Sequence, residues 1–466
     1  LKKLKFNSTA KAGSWYLFGN LFNKAIVFLS VPIFTRLLST EQYGIVNTYL
    51  SWVTILTIIL GLSLGSSIRT AYVDFNGKIN QFSSSVLFLS FINFLILSVL
   101  IIIGTYFIKS DINKWLVIFG LIHSYMNFVI LFITEKYMME VKYIKRTLLL
   151  GLPNLIIIIL TLLLISYVFN KNLHIIYISM YILINFLFGA FIFVVILRKG
   201  KTFIDAKYWK YALTISLPLI FHGLSLNILS QSDRIMITAF VGPSQTGIYS
   251  LVYSFSMILV VFHSAFDGVW IPWFTKKMKT RSNEVINLLA KFYIEIMTIL
   301  AIGLLYISPE ILKIMAPSEY WDGKYIVAPI LLSSYVIFLY TIPVNLEYYH
   351  KNTKKIAFNT VIAAGINIGL NFIFIPMYGA TAAAFTTLAS YIISFFMHYI
   401  AAKKLDKELF PFQLYIKSLI LVIITSCLFY LTIEQIKTRW IFIFIFTIYY
   451  LFYLYKNYKK IINFIK

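Results

Sequence analysis

Apolar runs of 18 or more residues recur from one end of the chain to the other, separated by short polar connectors. A helix of that length spans the hydrocarbon core of a bilayer, so each run predicts a transmembrane helix. Fourteen spans are expected, at 14–36, 44–67, 83–108, 115–135, 148–169, 173–197, 211–233, 246–270, 286–308, 325–349, 356–376, 379–402, 412–433 and 440–456. The connectors leave no room for a folded domain outside the membrane. The predicted class is an all-α polytopic membrane protein.

Composition agrees with this pattern. The 466 residues are 60% hydrophobic and 12% charged, with a mean hydropathy of +0.83. In a soluble domain about a quarter of the residues would be charged. Lys2, Lys3, Lys5 and Lys11 precede the first apolar run as they would in a secretory leader. That run continues without a small-residue cleavage site, so a retained first span is expected. The single cysteine, Cys427, excludes an internal disulfide framework and reads as structural filler in an apolar run.

The net charge of +24 changes the picture only through its distribution. Basic residues gather in alternate connectors: the N-terminus, Lys78, Lys136–Arg146, Arg198–Lys210, Lys276–Arg281, Lys351–Lys355, Lys403–Lys407 and the C-terminal Lys456–Lys466. The opposite, outer side holds far fewer: Arg36, Lys109, Lys114, Lys171, Arg234, Lys313, Lys324, Lys437 and Arg439. This bias predicts both termini in the cytoplasm. The excess charge is therefore topological, and no nucleic-acid partner is expected.

A short segment occurs twice. Gln42-Tyr43-Gly44-Ile45 is matched, 203 positions on, by Gln245-Thr246-Gly247-Ile248. The shift maps span 1 onto span 7 and span 2 onto span 8. With six spans between the copies, both halves face the same way, the plan of parallel repeats in secondary transporters. Gly44 and Gly247 are expected at the turns that begin the second and eighth spans.

Charged groups inside apolar spans are the candidate chemistry, because each costs roughly 2.5–3.5 kcal/mol at mid-helix on insertion scales. Lys24 lies in the middle of span 1, with Asn20 on its face and Asn23 beside it. In the seventh span Asn227, Ser230, Gln231 and Arg234 follow the i, i+3, i+4, i+7 spacing of one helical stripe. Two repeat-related helices with polar faces imply a shared aqueous cavity. Arg36 at one end of span 1 has the alternative of snorkelling to headgroups. Arg69 divides between anchoring and cargo contact, and Lys291 and Lys417 read as interface residues. Asp267 and Glu295 are the candidates for ion coupling, with the ion left open. His123, His222, His263 and His398 read as buried, hydrogen-bonded side chains. The chain shows no phosphate-binding loop, no metal-ligand spacing and no evident nucleophile–base pair. No catalytic residue, metal or cofactor is expected.

The segments "PIFTRLLSTEQYGIVNTYLSW", "SDRIMITAFVGPSQTGIYS" and "NFIFIPMYGATAAAFTTLASY" resemble signature segments of Wzx-type polysaccharide flippases, within the multidrug/oligosaccharidyl-lipid/polysaccharide exporter superfamily. The resemblance runs over essentially the whole chain. It implies two pseudo-symmetric six-helix bundles, 1–205 and 206–405, with two further helices in 406–466. It also implies alternating-access transport of undecaprenyl-pyrophosphate-linked oligosaccharides across the bacterial plasma (inner) membrane, for O-antigen or capsule. Membrane lipids and other polysaccharide-assembly membrane proteins would be partners. Lys24, Arg234, Arg69 and Arg36 would then meet the pyrophosphate, and Asn20, Asn23, Asn227 and Gln231 the headgroup or sugars. Two alternatives stay open: a multidrug or small-metabolite exporter, and a membrane polymerase or ligase. The short connectors argue against the enzyme.

Overall fold

The computed structural model describes residues 19, 22–107, 114–167 and 172–465, and the described chain is almost wholly helical. Helix α1 covers 22–37. It is followed by α2 (Thr40–Gly61), a 3₁₀ turn (Leu64–Ser66), α3 (Ser67–Asp74), α4 (Ile79–Phe107), α5 (Lys114–Met139), α6 (Tyr143–Tyr167) and α7 (Leu173–Gly200). Then come α8 (Ala206–Val241), α9 (Pro243–Lys279), α10 (Asn283–Met315), a 3₁₀ segment (Ser318–Tyr325), α11 (Val327–Tyr349), α12 (Thr353–Leu405), α13 (Gln413–Thr432) and α14 (Ile436–Ile465). Among the described residues eleven helices are long and apolar enough to cross a membrane.

The repeat is visible in the backbone, since α2 starts at Thr40 and α9 at Pro243, the same spacing as the sequence copies. The glycines of the motif are not where the chain reverses, however. Gly44 and Gly247 are buried inside α2 and α9. Reversal occurs at Ser39, whose hydroxyl accepts from the Gln42 amide, and at Gly242–Pro243. Gly242 has φ 101°, and Pro243 occupies the first turn, where its missing N–H leaves nothing unsatisfied.

One span is broken short of its expected end. The second was expected to run unbroken through 44–67, but α2 stops at Gly61, and Leu62 and Ser63 both adopt left-handed φ of 49°. Just before the turn, Gly61 lies so close to the Phe128 ring of α5 that a side chain there would overlap it. At the other extreme, α12 is 53 residues long, about 80 Å of helix at 1.5 Å per residue. That is more than twice the hydrocarbon thickness. The helix is in fact interrupted at Gly379 (φ 58°, ψ −139°), where the twelfth span was expected to begin. Gln245, from the repeated motif, caps the new start: its side-chain oxygen accepts from the Ala380 amide at 2.8 Å.

The chain divides into two compact units, 1–239 and 240–466. The first is organised around a core that includes Leu60, Ile68, Phe82, Tyr125, Phe132 and Tyr208. In the second, Phe255, Leu259, Ile294, Leu331 and Leu339 are fully buried, and Thr298 and Tyr335 share a 2.7 Å hydrogen bond between α10 and α11. Helix α14 is fixed to α10 by Arg439, whose guanidinium donates to both carboxylate oxygens of Glu310 at 2.8 and 2.6 Å. Stacking of Tyr306 on Phe442, with centroids 4.3 Å apart, continues that contact. Cys427 is exposed on α13, so it does not fill an interior space as expected.

Candidate functional site

Asn23 accepts a hydrogen bond from the Asn154 side chain of α6 at 3.0 Å. That bond satisfies an amide which an apolar span leaves without water. Lys24, one position on, is half-buried in the first turn of the described α1. Asn20 lies outside the described residues. Arg36 is exposed and donates to the Pro32 carbonyl at 2.7 Å, on its own helix.

Helix α8, including its stripe, meets α2 and the following 3₁₀ turn in a polar seam. Thr48 and Thr238 hydroxyls are 2.5 Å apart, Ser51 donates to Gln231 Oε1 at 3.0 Å, and Ser66 and Ser216 are 3.2 Å apart. Arg234 donates to the same Gln231 oxygen at 3.2 Å and to the Ser230 carbonyl at 2.9 Å. Its side chain is buried, whereas the sequence placed it at the outer edge of a span ending at 233. Helix α8 continues to Val241, which draws Arg234 inside. Asn227 spends one amide proton on the Gly223 carbonyl at 2.9 Å.

Arg69 is carried on the separate short helix α3, not on the end of the second span. There its Nε donates to Glu135 of α5 at 2.7 Å, with the arginine largely exposed. Glu135 had not been singled out. Nothing in its sequence position, 66 residues from Arg69, links the two.

The second unit concentrates carboxylates and imidazoles. His263 Nε2 lies 2.9 Å from Asp267 Oδ2, one turn along α9, and 3.1 Å from the Thr341 hydroxyl of α11. The Tyr293 hydroxyl of α10 donates to Asp267 Oδ1 at 3.4 Å. A second pair is fully enclosed: His398 Nδ1 and Glu347 Oε1 are 2.6 Å apart, and Tyr340 stacks on His398 with centroids separated by 5.6 Å. Adjacent residues of α11, Tyr340 and Thr341, therefore touch the two pairs. Each pairing gives a polar group in an apolar interior the hydrogen-bond partner that burial requires. Glu347 was missed because its partner is 51 residues away. Glu295 is buried in α10. A further polar cluster spans the Gly379 interruption: Asn367 donates to Thr387 at 3.1 Å, Asn371 donates to Asn367 at 3.3 Å, and Thr386 donates to Asn371. Of the histidines, His123 is a buried partner of the Tyr49 hydroxyl at 2.9 Å.

The family model described as polysaccharide biosynthesis protein matches residues 9–278. A Haemophilus influenzae membrane protein is 25% identical over 375 residues, covering 78% of this chain and 89% of that relative. Among solved structures, the lipid II flippase MurJ in an inward closed conformation superposes with a TM-score of 0.75 at 18% identity, over 96% of this chain and 99% of its own. An inward-facing multidrug resistance MATE family transporter of the MOP superfamily gives a TM-score of 0.59 at 14% identity, over 82% and 99%. At these identities the structural likeness is one of fold. It establishes the expected all-helical membrane architecture and extends over nearly the whole chain.

Proposed function

The chain belongs to the polysaccharide biosynthesis protein family, and from that premise we propose that it is a flippase for lipid-linked oligosaccharides. The observation that carries this reading is the pairing of a polysaccharide-biosynthesis family with a transporter fold that covers 96% of the chain. The cargo we assign is an undecaprenyl-pyrophosphate-linked repeat unit of a surface polysaccharide, moved across the bacterial plasma membrane by alternating access. Both termini face the cytoplasm, as the distribution of basic residues favours.

Such a cargo joins concentrated negative charge to sugars too hydrophilic to cross hydrocarbon unaided. Lys24 supplies the cation on α1, in reach of the half-buried face that also carries Asn23. Arg234 supplies a guanidinium suited to bidentate phosphate binding. Its hydrogen bonds to Gln231 and Ser230 hold it until cargo oxygens replace them, and Gln231 is then released from Ser51 to face the sugar. Arg69, held by Glu135, and Arg36, at the end of α1, are secondary cationic contacts. Coupling to an ion gradient falls to the second unit, where the half-buried Asp267 is already paired with His263; Glu295, buried in α10, is the other carboxylate proposed for this role.

Deletion of the gene, followed by analysis of lipid-linked repeat units in each leaflet, tests the reading. Accumulation on the cytoplasmic leaflet with loss of surface polymer is expected. Normal polymer with altered drug tolerance would overturn it in favour of an exporter of small molecules.

A further inference from the structure

A cleft in the first unit is used by none of these roles. It opens between the start of α4, the end of α5, the α5–α6 connector, the start of α6 and the end of α7, and has a volume of about 560 Å³. Its lining joins two chemistries. Lys136, Lys142, Lys145 and Lys199 stand with a single carboxylate, Glu140, toward the helix ends, and Leu148, Phe188, Phe191 and Val195 form an apolar wall further along α6 and α7. Glu140 is engaged by Lys142 at 2.6 Å and lies 3.9 Å from Lys136, so it offsets about one of the four positive charges.

Lys136 is the telling residue. Its side chain is 91% buried, where an ammonium calls for acceptors. The ammonium has three donors. It gives one to Asn80 of α4, and Glu140 is too distant for a hydrogen bond. The backing of this site is stiff: a Cβ at Gly200 would stand 2.2 Å from the Asn80 carbonyl oxygen, so α7 and α4 touch directly behind it. Beside the cations, Leu148 is 53% exposed and Phe191 70% exposed. All the contributing helix ends lie where the basic connectors gather, so the cations stand at headgroup level and the apolar wall continues into hydrocarbon.

We propose that this cleft binds an anionic glycerophospholipid, its phosphate on Lys136, Lys145 and Lys199 and its proximal acyl chain along Leu148 and Phe191. Charge complementarity selects the occupant. The net positive lining rejects cations and favours a phosphate diester, and the apolar wall favours a ligand that brings its own hydrocarbon. Basic pockets between transmembrane helices on the positively biased side hold anionic headgroups by this combination.

Native mass spectrometry of the purified full chain with dioleoyl-phosphatidylglycerol, against dioleoyl-phosphatidylcholine, tests the assignment. Retention of phosphatidylglycerol but not phosphatidylcholine is expected, weakened at least tenfold in Lys136→Gln. The exposed double variant Lys145→Gln/Lys199→Gln, which leaves the buried contact to Asn80 intact, should weaken it several-fold and so keeps the test valid if Lys136→Gln folds poorly. Equal retention of the two lipids, or unchanged phosphatidylglycerol binding in both variants, would overturn the proposal. So would displacement of the lipid by millimolar inorganic phosphate alone, or a strong preference for undecaprenyl phosphate, which would make the cleft a cargo site.

Discussion

Replacing Gly379 with alanine should destabilise the protein through two separable effects. Its φ of 58° with ψ −139° is a conformation that an L side chain adopts only with strain, about 1–3 kcal/mol. The added Cβ would also stand 2.0 Å from Gln245 Oε1. That oxygen ends a flexible side chain and can swing away, but it then abandons the Ala380 amide, to which it is bonded at 2.8 Å. A part-buried donor left unsatisfied costs about 1–3 kcal/mol, so Gly379→Ala should lose about 2–6 kcal/mol in all. Gln245→Ala alone removes only the cap and should lose about 0.5–2 kcal/mol. In the double variant the collision disappears and the cap is lost once, so its loss should be smaller than the sum of the singles. Melting of the purified proteins at one fixed scan rate reads the order of the four forms. A Gly379→Ala protein that melts with the wild type, or a double variant whose shift is the plain sum, would show that Gly379 and the Gln245 cap are not coupled in this way.

Three further outcomes follow from the geometry. Arg439→Ala should free α14 from α10, because it strands the part-buried Glu310 and removes a bidentate pair, a loss of about 1–3 kcal/mol; faster proteolysis of the α13–α14 connector would report it, and Arg439→Lys should rescue poorly because it cannot form the fork. Hydrogen bonding by Lys324, which lies 2.6 Å from Glu434, holds the Glu434 carboxyl below its ordinary value. Its stabilisation is therefore present above the ordinary carboxylate pKa and fades as pH falls through the depressed one, so Glu434→Gln should flatten the acid limb of melting temperature against pH; an unchanged limb would show that the link contributes nothing. In a background lacking Cys427, a single cysteine within 309–323 should react with a membrane-impermeant reagent added outside and one within 199–210 should not, and reversal of that pair would sink the topology.

Much of the fold was legible because hydropathy and helix length are local properties. The two helix starts at Thr40 and Pro243 reproduce the repeat spacing read from four residues, and the break at Gly379 falls where a span was expected to begin. What escaped was set by tertiary contact. Leu62 and Ser63 are unremarkable in sequence, and the close approach of Phe128 from α5 to Gly61 beside them is visible only in the fold. The candidate site divides in the same way. Polar residues within apolar runs stood out, but their partners did not: Ser51 is 180 positions from Gln231, and Glu347 is 51 from His398. Arg69 could be noticed as a charge near a span, but only the fold reveals Glu135 beside it.

Anionic-cargo translocation that depends on Lys24 can be followed in a reconstituted system. Purified protein in liposomes, without ATP, would be supplied with a fluorescent undecaprenyl-pyrophosphate-linked oligosaccharide, and arrival in the opposite leaflet followed by quenching from outside. Wild type should translocate the cargo, Lys24→Arg should retain part of the rate, and Lys24→Ala and Lys24→Glu should abolish it at normal incorporation levels. Loss of even about 1.4 kcal/mol of charge attraction would weaken cargo binding tenfold. Wild-type translocation by a well-incorporated Lys24→Glu protein would contradict the account.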